Sequence, residues 1–453
     1  MCATNALYTE LNAALLRSAA FFTTKVVSLI FSGFSTFCRH DLFAICINIF
    51  SMKQINTGKG VITIWALLGI WSVAALTSLP GLAVSPILEK LATIFPKATD
   101  LDLQLLTTLP SLLIIPFILF AGYISNRIGY IKLLYIGLWL FLLSGALYFV
   151  SGTIGQLIAV SALLGVGAGI IIPFSTSLVS MFFSGKERTR QYGYVSAITN
   201  ITLVIATAVA GWLADVQWRL PFLVYLLPVV SIVLVPAIRR DEKAMGQQGG
   251  QGDAVMQSGG HIEYGSLVKY MLYYLFITYL VMVVSIDLPF LLGKYGYDSG
   301  VAGIVTSIFF LAMMLPGFFI NRLVDVFGCN ILVWAVLLIA LGLLDVFYNR
   351  SLLFIIIGCV ATGFGYGMAQ PYVYDKTSTL ASPQQVTYAL ALLMSMNYVA
   401  IVIAPFVVDW VQDILGVKGE HFPFLLNALL GFVGLLFMSL MKVYDNRKKE
   451  NYE

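Results

Sequence analysis

Charge is what this sequence has least of. Asp, Glu, Lys and Arg together make up 11% of its 453 residues. A water-soluble chain devotes about a quarter of its residues to charge because its surface must face water. A globular body in water is therefore excluded. Histidine is scarce: His40, His261 and His421 stand far apart, and none lies beside a cysteine cluster. The five cysteines, Cys2, Cys38, Cys46, Cys329 and Cys359, form no CxxC pair. Such spacing offers neither a metal site nor a disulfide framework. GxxxxGK[ST] is absent, so no nucleotide drive is expected within the chain. HExxH, GxSxG and paired His and acid are absent too. No catalytic residue, metal or cofactor is expected. The formal net charge of +4 gives no sign of a nucleic-acid partner.

What the sequence does have is apolar length. Hydrophobic residues account for 59% of the chain, and the mean hydropathy is +0.91. Its solvent is expected to be a lipid bilayer. A spanning helix takes about 20 mainly apolar residues. Six such runs occupy 61–86, 103–124, 131–150, 156–183, 193–214 and 220–238. Six more occupy 266–292, 300–321, 331–348, 352–380, 386–410 and 422–441. Between the sets lies a polar stretch containing GQQGGQGD and QSGG, a composition that packs no core and reads as a flexible linker. The expected plan is all-α and integral to the membrane. It comprises an extension at 1–51, a six-helix half at 52–238, a linker at 239–265, a second half at 266–442 and a tail at 443–453.

Lys and Arg fix the expected orientation. With both termini and the linker on the cytoplasmic side, the inside segments hold about three times as many basic residues as the outside ones. The extension fits poorly: VVSLIFSGF is too short to span, and Arg17, Lys25, Arg39, His40 and Asp41 interrupt its apolar stretches. It has no small-residue cleavage site. Translation from Met52 is the expectation, with a helix lying on the membrane surface as the alternative.

Internal repeats show that the halves are related. Gly165, Gly167, Gly169 and Pro173 in the fourth run match Gly363, Gly365, Gly367 and Pro371 in the tenth, 198 positions away. Glycine-rich helix faces let backbones approach closely in lipid. After the second run comes GYISNRIG, with Gly122, Asn126, Arg127 and Gly129; after the eighth comes NRLVDVFG, with Asn321, Asp325 and Gly328. Asn200 and Asn397 form a third pair, 197 positions apart.

GYISNRIG resembles the loop signature of the major facilitator superfamily, with Asn126 where the family has an acid. GVGAGIIIP followed by SGKERTRQYG is similar to its fourth helix and basic loop, and Trp218, Arg219 and Phe222 to the WRxxF opening its sixth. Ser161 stands where many of its drug–proton antiporters carry arginine, the fifth run lacks their Gly-Pro pair, and the first run has no acid. The resemblance implies a secondary transporter working by alternating access about a site near the midplane. On that mapping Trp71, Ser72, Thr278, Tyr279, Tyr366 and Gln370 line the cavity, a neutral set suited to an amphipathic small molecule. The implied function is export by a monomer in the inner (plasma) membrane, coupled to an ion gradient, the proton being the expected ion. The alternatives are an importer of a nutrient or metabolite and a non-transporting receptor.

Ionisable groups inside spans are functional hypotheses by default. Asp287, in the outer part of the seventh run, and Asp375 and Lys376, in the inner third of the tenth, are the coupling or gating candidates. Lys376 is long enough to snorkel, whereas Asp375 needs a partner, a water path or a proton.

Overall fold

The computed structural model describes residues 54–80, 91, 94–96, 98–248, 261–416 and 419–450. The expectations for 1–51 and for the linker at 249–260 lie outside these residues.

Twelve α-helices carry the described chain. The first half holds α1 (Ile64–Leu76), α2 (Asp100–Ile128), α3 (Tyr130–Val150), α4 (Ile154–Phe182), α5 (Gly185–Val216) and α6 (Pro228–Gln248). The second holds α7 (Tyr264–Lys294), α8 (Ser299–Phe327), α9 (Ile331–Tyr348), α10 (Leu352–Thr379), α11 (Val386–Leu415) and α12 (Phe422–Glu450). Eleven stretches are long and apolar enough to cross a membrane. The described part of α1 is shorter, and the expected span 61–86 runs into residues outside the description.

The repeated glycines build each half in the same way. A Cβ on Gly165 or Gly169 would collide with the α2 backbone at Pro110 and Ile114, and one on Gly167 with α3 at Phe141. In the second half, a Cβ on Gly363 or Gly367 would collide with α8 at Phe309 and Met313, and one on Gly365 with α9 at Ala335. So α4 is wedged between α2 and α3, and α10 between α8 and α9. Lipid provides no hydrophobic drive between helices, so close backbone approach supplies the dispersion contact instead. Gly129 and Gly328, which end the two loop motifs, have φ of +88° and +53°. L-residues avoid that region, so glycine makes these tight helix-to-helix turns.

Boundaries depart from expectation: α5 begins at Gly185, eight residues before the expected 193, and Leu220–Leu226 is a 3-10 segment ahead of α6. Residues 61–63 form a strand, not helix. They pair antiparallel with Gln54–Asn56, Ile55 opposite Ile62. The α1 N-terminus then forms at Thr63, where the Asp241 carboxylate accepts from the Thr63 amide (2.6 Å) and hydroxyl (2.8 Å). A carboxylate there complements the helix dipole. Residues 239–248 continue α6 and do not belong to the linker. Residues 443–450 continue α12 and do not form a loose tail.

Among the described residues, the 54–63 segment, the end of α6, the start of α7 and the loops α2–α3, α4–α5, α8–α9 and α10–α11 share one end of the bundle, called the basic end below for its Lys and Arg.

Candidate functional site

The halves enclose a cavity of about 260 Å³. The first half contributes Thr77, Ser78 and Pro80 after α1, Ser111 on α2, Ser175 and Thr176 on α4, and Ser196 and Thr199 on α5. The second contributes Gln370 and Tyr374 on α10 and Met394, Asn397, Tyr398 and Ile401 on α11. None of these side chains is charged. On the side nearest the basic end the Thr176 hydroxyl meets the Met394 sulfur at 3.3 Å, joining α4 to α11.

A hydrogen-bonded network backs the second-half wall. Gln370 Oε1 accepts from Ser196 Oγ (2.6 Å), a bond that crosses between the halves. Gln370 Nε2 faces the hydroxyls of Tyr274 and Tyr374, both at 3.2 Å. Tyr274 and Tyr374 share a hydrogen bond of 2.8 Å, and Tyr274 and Tyr366 one of 3.3 Å. Asn397 Oδ1 accepts from Thr278 and Tyr366, each at 3.2 Å. Both acceptor sites of that oxygen are thus taken by protein. The Asn397 amide lines the cavity with its NH₂ as the uncommitted end.

The basic end is locked beneath the cavity. Arg188, early in α5, donates Nε to Asp375 Oδ1 of α10 at 2.8 Å, and both side chains are about 15% exposed. Nearby, Lys186 Nζ pairs with Asp325 of α8 at 3.0 Å, but these side chains are 75% and 58% exposed. Asn321 Nδ2 adds a bond to the Lys186 carbonyl. Two glycine contacts close the seams between halves. A Cβ on Gly193 (α5) or Gly317 (α8) would overlap the other's carbonyl oxygen, and one on Gly122 (α2) would overlap Ala391 (α11).

The 54–63 hairpin braces this end. Lys59 Nζ donates to the Ser180 carbonyl (2.7 Å) and the Met181 carbonyl (3.2 Å), capping the last turn of α4. The Ser184 amide donates to the Thr57 carbonyl (3.1 Å). Burial, and then the Arg188 guanidinium, push the Lys59 ammonium below its ordinary pKa. In the second half the segment before α7 meets the α10–α11 loop through one isolated β-bridge between Ile262 and Ala381.

Comparison with known proteins bears on this architecture. The model of the Major Facilitator Superfamily matches residues 66–284 and again 270–452, nearly the whole described chain. The chain belongs to the major facilitator superfamily. It is therefore a multi-pass membrane transporter of that family. The quinolone resistance protein NorA of Staphylococcus aureus is 30% identical over 145 residues, 30% of this chain and 37% of that protein. The multidrug transporter protein MdtP of Bacillus subtilis is 30% identical over 130 residues, 28% of this chain and 23% of its own. The chain thus aligns with little more than a third of the length of the first relative and less than a quarter of the second. Among solved structures, the xylose transporter XylE from E. coli matches with a TM-score of 0.63 at 17% identity, over 83% of this chain and 95% of its own. The human organic anion transporter MFSD10 matches at 0.64 and 16%, over 82% and 97%.

Of the expected cavity residues, Gln370 lines the cavity between the halves, and Thr278 and Tyr366 stand behind it in the network. Trp71, Ser72 and Tyr279 are not among the lining residues. Trp71 Nε1 is spent on Gln191 Oε1 (3.0 Å), and Ser72 donates to the Gly69 carbonyl of its own helix. The Tyr279 hydroxyl is buried without a partner. The expected need of Asp375 for a partner is met by Arg188. The Lys376 ammonium sits 5.4 Å from the Tyr372 ring centre. Asp287 is half-buried, forms no hydrogen bond or ion pair among the described residues, and lies within electrostatic reach of Asp409 on α11. Of the loop motif, Arg127 bonds the Tyr123 hydroxyl (2.8 Å), and the Asn126 side chain lies outside the description. Sequence reasoning missed Ser196, Tyr374, Asn397 as a cavity group, and Arg188. Asn397 had been noted as the repeat partner of Asn200. Their roles have diverged, since Asn200 bonds the Ser196 carbonyl of its own helix.

Proposed function

We propose that this transporter exports small, uncharged or weakly charged amphipathic molecules, driven by a proton gradient. The observation that carries the reading is the cavity between the halves, lined by hydroxyls, carboxamides, aromatic rings and a methionine and by no charged side chain. A fixed charge in such a site would favour a counter-charged substrate; its absence favours a neutral one with polar handles. The partial likeness to NorA and MdtP, named for quinolone resistance and multidrug transport, supports export.

Asp375 serves as a gate residue through Arg188. Asp287, unpaired in the outer part of α7, is the better coupling candidate. The basic end faces the cytoplasm, the inner (plasma) membrane is the site of action, and the working unit is a monomer.

A second reading, import of a neutral metabolite, is favoured by the Gln370–tyrosine–Asn397 network. Its hydroxyls and amides suit a polyhydroxylated ligand, and XylE is a proton:xylose symporter. Vesicles of known orientation decide between the two. Under export, a proton gradient drives accumulation of amphipathic compounds into inverted vesicles, and collapsing the gradient abolishes it. Gradient-driven uptake of a sugar into right-side-out vesicles, with no effect on amphiphiles, overturns export.

A further inference from the structure

The cavity between the halves has a hydrogen-bond polarity, and it differs from wall to wall. On the first-half wall Thr77 donates to the Ala74 carbonyl (2.7 Å), Ser78 to the Ala75 carbonyl (3.2 Å) and Thr199 to the Val195 carbonyl (2.9 Å). Each of these half-buried hydroxyls spends its hydrogen on its own chain and keeps a lone pair for a ligand. A ligand that asks one of them for a hydrogen must first break the bond already made. Ser111, on α2, carries a hydroxyl that can give or take, so it sets no polarity.

Asn397, on the second-half wall, is the reverse. Its Oδ1 is filled by Thr278 and Tyr366. Its Nδ2 has no partner among the described residues and remains open to the cavity, unlike the sealed, unpartnered hydroxyls of Ser177 and Tyr279. An amide nitrogen only donates. The orientation of this amide is set from behind. Gln370 Nε2 gives its two hydrogens to Tyr274 and Tyr374. Tyr374 then donates to Tyr274, Tyr274 to Tyr366, and Tyr366 to Asn397 Oδ1. Every hydroxyl in this row gives one hydrogen and takes at least one. The row ends on an acceptor, which holds the Asn397 oxygen inward and its nitrogen toward the cavity. Leu203, Met394 and Ile401 supply apolar wall between the two polar faces.

We propose that Asn397 sets the specificity of the central cavity, its N–H groups pairing an acceptor such as a carbonyl on the cargo. The hydroxyls of Thr77, Ser78 and Thr199 accept from an N–H or O–H at the cargo's other end. The cargo class is an uncharged amphiphile with a hydrogen-bond acceptor at one end, a donor at the other and an apolar body between them. Thr278 and Tyr366 are positioning residues. The inference rests on the transporter reading in treating the bound molecule as cargo; the binding itself needs no gradient.

The test is equilibrium binding to the full chain in nanodiscs, read by fluorescence anisotropy with three probes. Aminomethylcoumarin has an amine at one end and a lactone carbonyl at the other. Its dimethylamino analogue keeps the carbonyl and has no N–H. Naphthylamine keeps the amine and has no carbonyl. The ratio of variant to parent affinity is compared for each probe, so partition into the bilayer cancels. Asn397→Leu is expected to weaken both coumarins about three- to tenfold, the worth of one hydrogen bond, and to leave naphthylamine unchanged. Thr77→Val, Ser78→Ala and Thr199→Val combined are expected to weaken aminomethylcoumarin and naphthylamine by a similar factor and to leave the dimethylamino analogue unchanged. Asn397→Asp keeps the oxygen that Thr278 and Tyr366 need. Its other oxygen donates when the carboxyl is protonated and only accepts when it is ionised. Aminomethylcoumarin is expected to bind this variant as it binds the parent at acid pH, and about tenfold or more weakly as pH rises, where the parent is flat.

Equal losses of all three probes in Asn397→Leu mean a repacked cavity and overturn the role of Asn397, as does parent-like affinity for all three. If Asn397→Leu does not fold, a flat pH profile in Asn397→Asp overturns it. A parent chain that binds none of the probes overturns the cargo class. Gradient-driven accumulation of aminomethylcoumarin that Asn397→Leu leaves unchanged sinks this inference and leaves export standing. The expected binding pattern in a chain that accumulates nothing sinks the proposed function and leaves the site standing.

Discussion

At the scale of the residue, exposure separates ion pairs that hold from ion pairs that decorate. Arg188–Asp375 is largely buried, and stripping one partner from such a pair strands the other at a cost of about 3–5 kcal/mol. Asp375→Asn is therefore expected to open the basic end, raising the labelling rate of a cysteine at Asn397 from that side at least tenfold. Lys186–Asp325 is mostly exposed, where a pair contributes about 0–1 kcal/mol, so Lys186→Gln is expected to change that rate less than about threefold. If Asp375→Asn still accumulates substrate normally on a gradient, coupling belongs elsewhere, with Asp287 the first place to look. His421, outside the spans, packs on Tyr295 with its ring nitrogens 3.1 and 3.2 Å from the hydroxyl. Phe347 meets its edge, and Lys294, Arg350 and Glu420 are the charges around it. Burial first, then the positive charges of Lys294 and Arg350, hold its pKa below the ordinary 6.5. A depressed folded-state value contributes stability above the unfolded pKa and loses it as pH falls through the folded one. Thermal stability is thus expected to drop as pH falls from about 6.5 to the lower folded-state value and to level off below it, and His421→Gln to flatten the profile across that window.

At the scale of the element, glycine contacts within a half and between halves have different consequences. Gly165, Gly169, Gly363 and Gly367 fix helices inside their own half. Gly367→Ala is expected to lower the yield of folded protein by forcing α10 away from α8, a strain of about 1–3 kcal/mol. Gly193 and Gly317 join the two halves near the basic end, so Gly193→Ala is expected to leave both halves folded and make the conformation closed at that end less populated. Melting temperature near the parent value, together with raised labelling of the cysteine at Asn397 from the basic end, is the expected result. A large fall in melting temperature without altered labelling would show that this contact belongs to folding. The 54–63 hairpin acts on the same end. Lys59→Gln removes its cap on the α4 carbonyls and is expected to shift labelling in the same direction as Gly193→Ala, but by less.

At the scale of the whole molecule, every lock named here lies at or below the basic-end side of the cavity, and the described α5–α8 seam widens away from it. Under the proposed transport function, this geometry is one limb of an alternating-access cycle. In the parent chain, cysteines at Thr199 and Asn397 are expected to react with a water-soluble maleimide from the end opposite the basic one and to be protected by bound substrate. Equal reactivity from both ends would mean that the closed seam is not the resting state in membranes.

The sequence by itself determined the solvent, the helices and the kinship of the halves. Eleven spans and both glycine stripes follow from local rules, because a run of about 20 apolar residues has one economical structure in lipid. The loop motifs were legible for the same reason, since Gly129 and Gly328 answer a demand on φ that a single residue meets. Charged side chains were legible as costs and illegible as pairs. Asp375 was marked as needing a partner, yet its partner lies 187 residues earlier, in the first turn of α5 among other basic residues that the sequence does not distinguish. Tertiary structure alone placed Asn397 at the cavity and set Trp71 against Gln191. It also brought Gly193 onto Gly317. Helical periodicity fixes which residues share a face, but which face meets which neighbour depends on how two separately packed halves dock, and no local pattern encodes that.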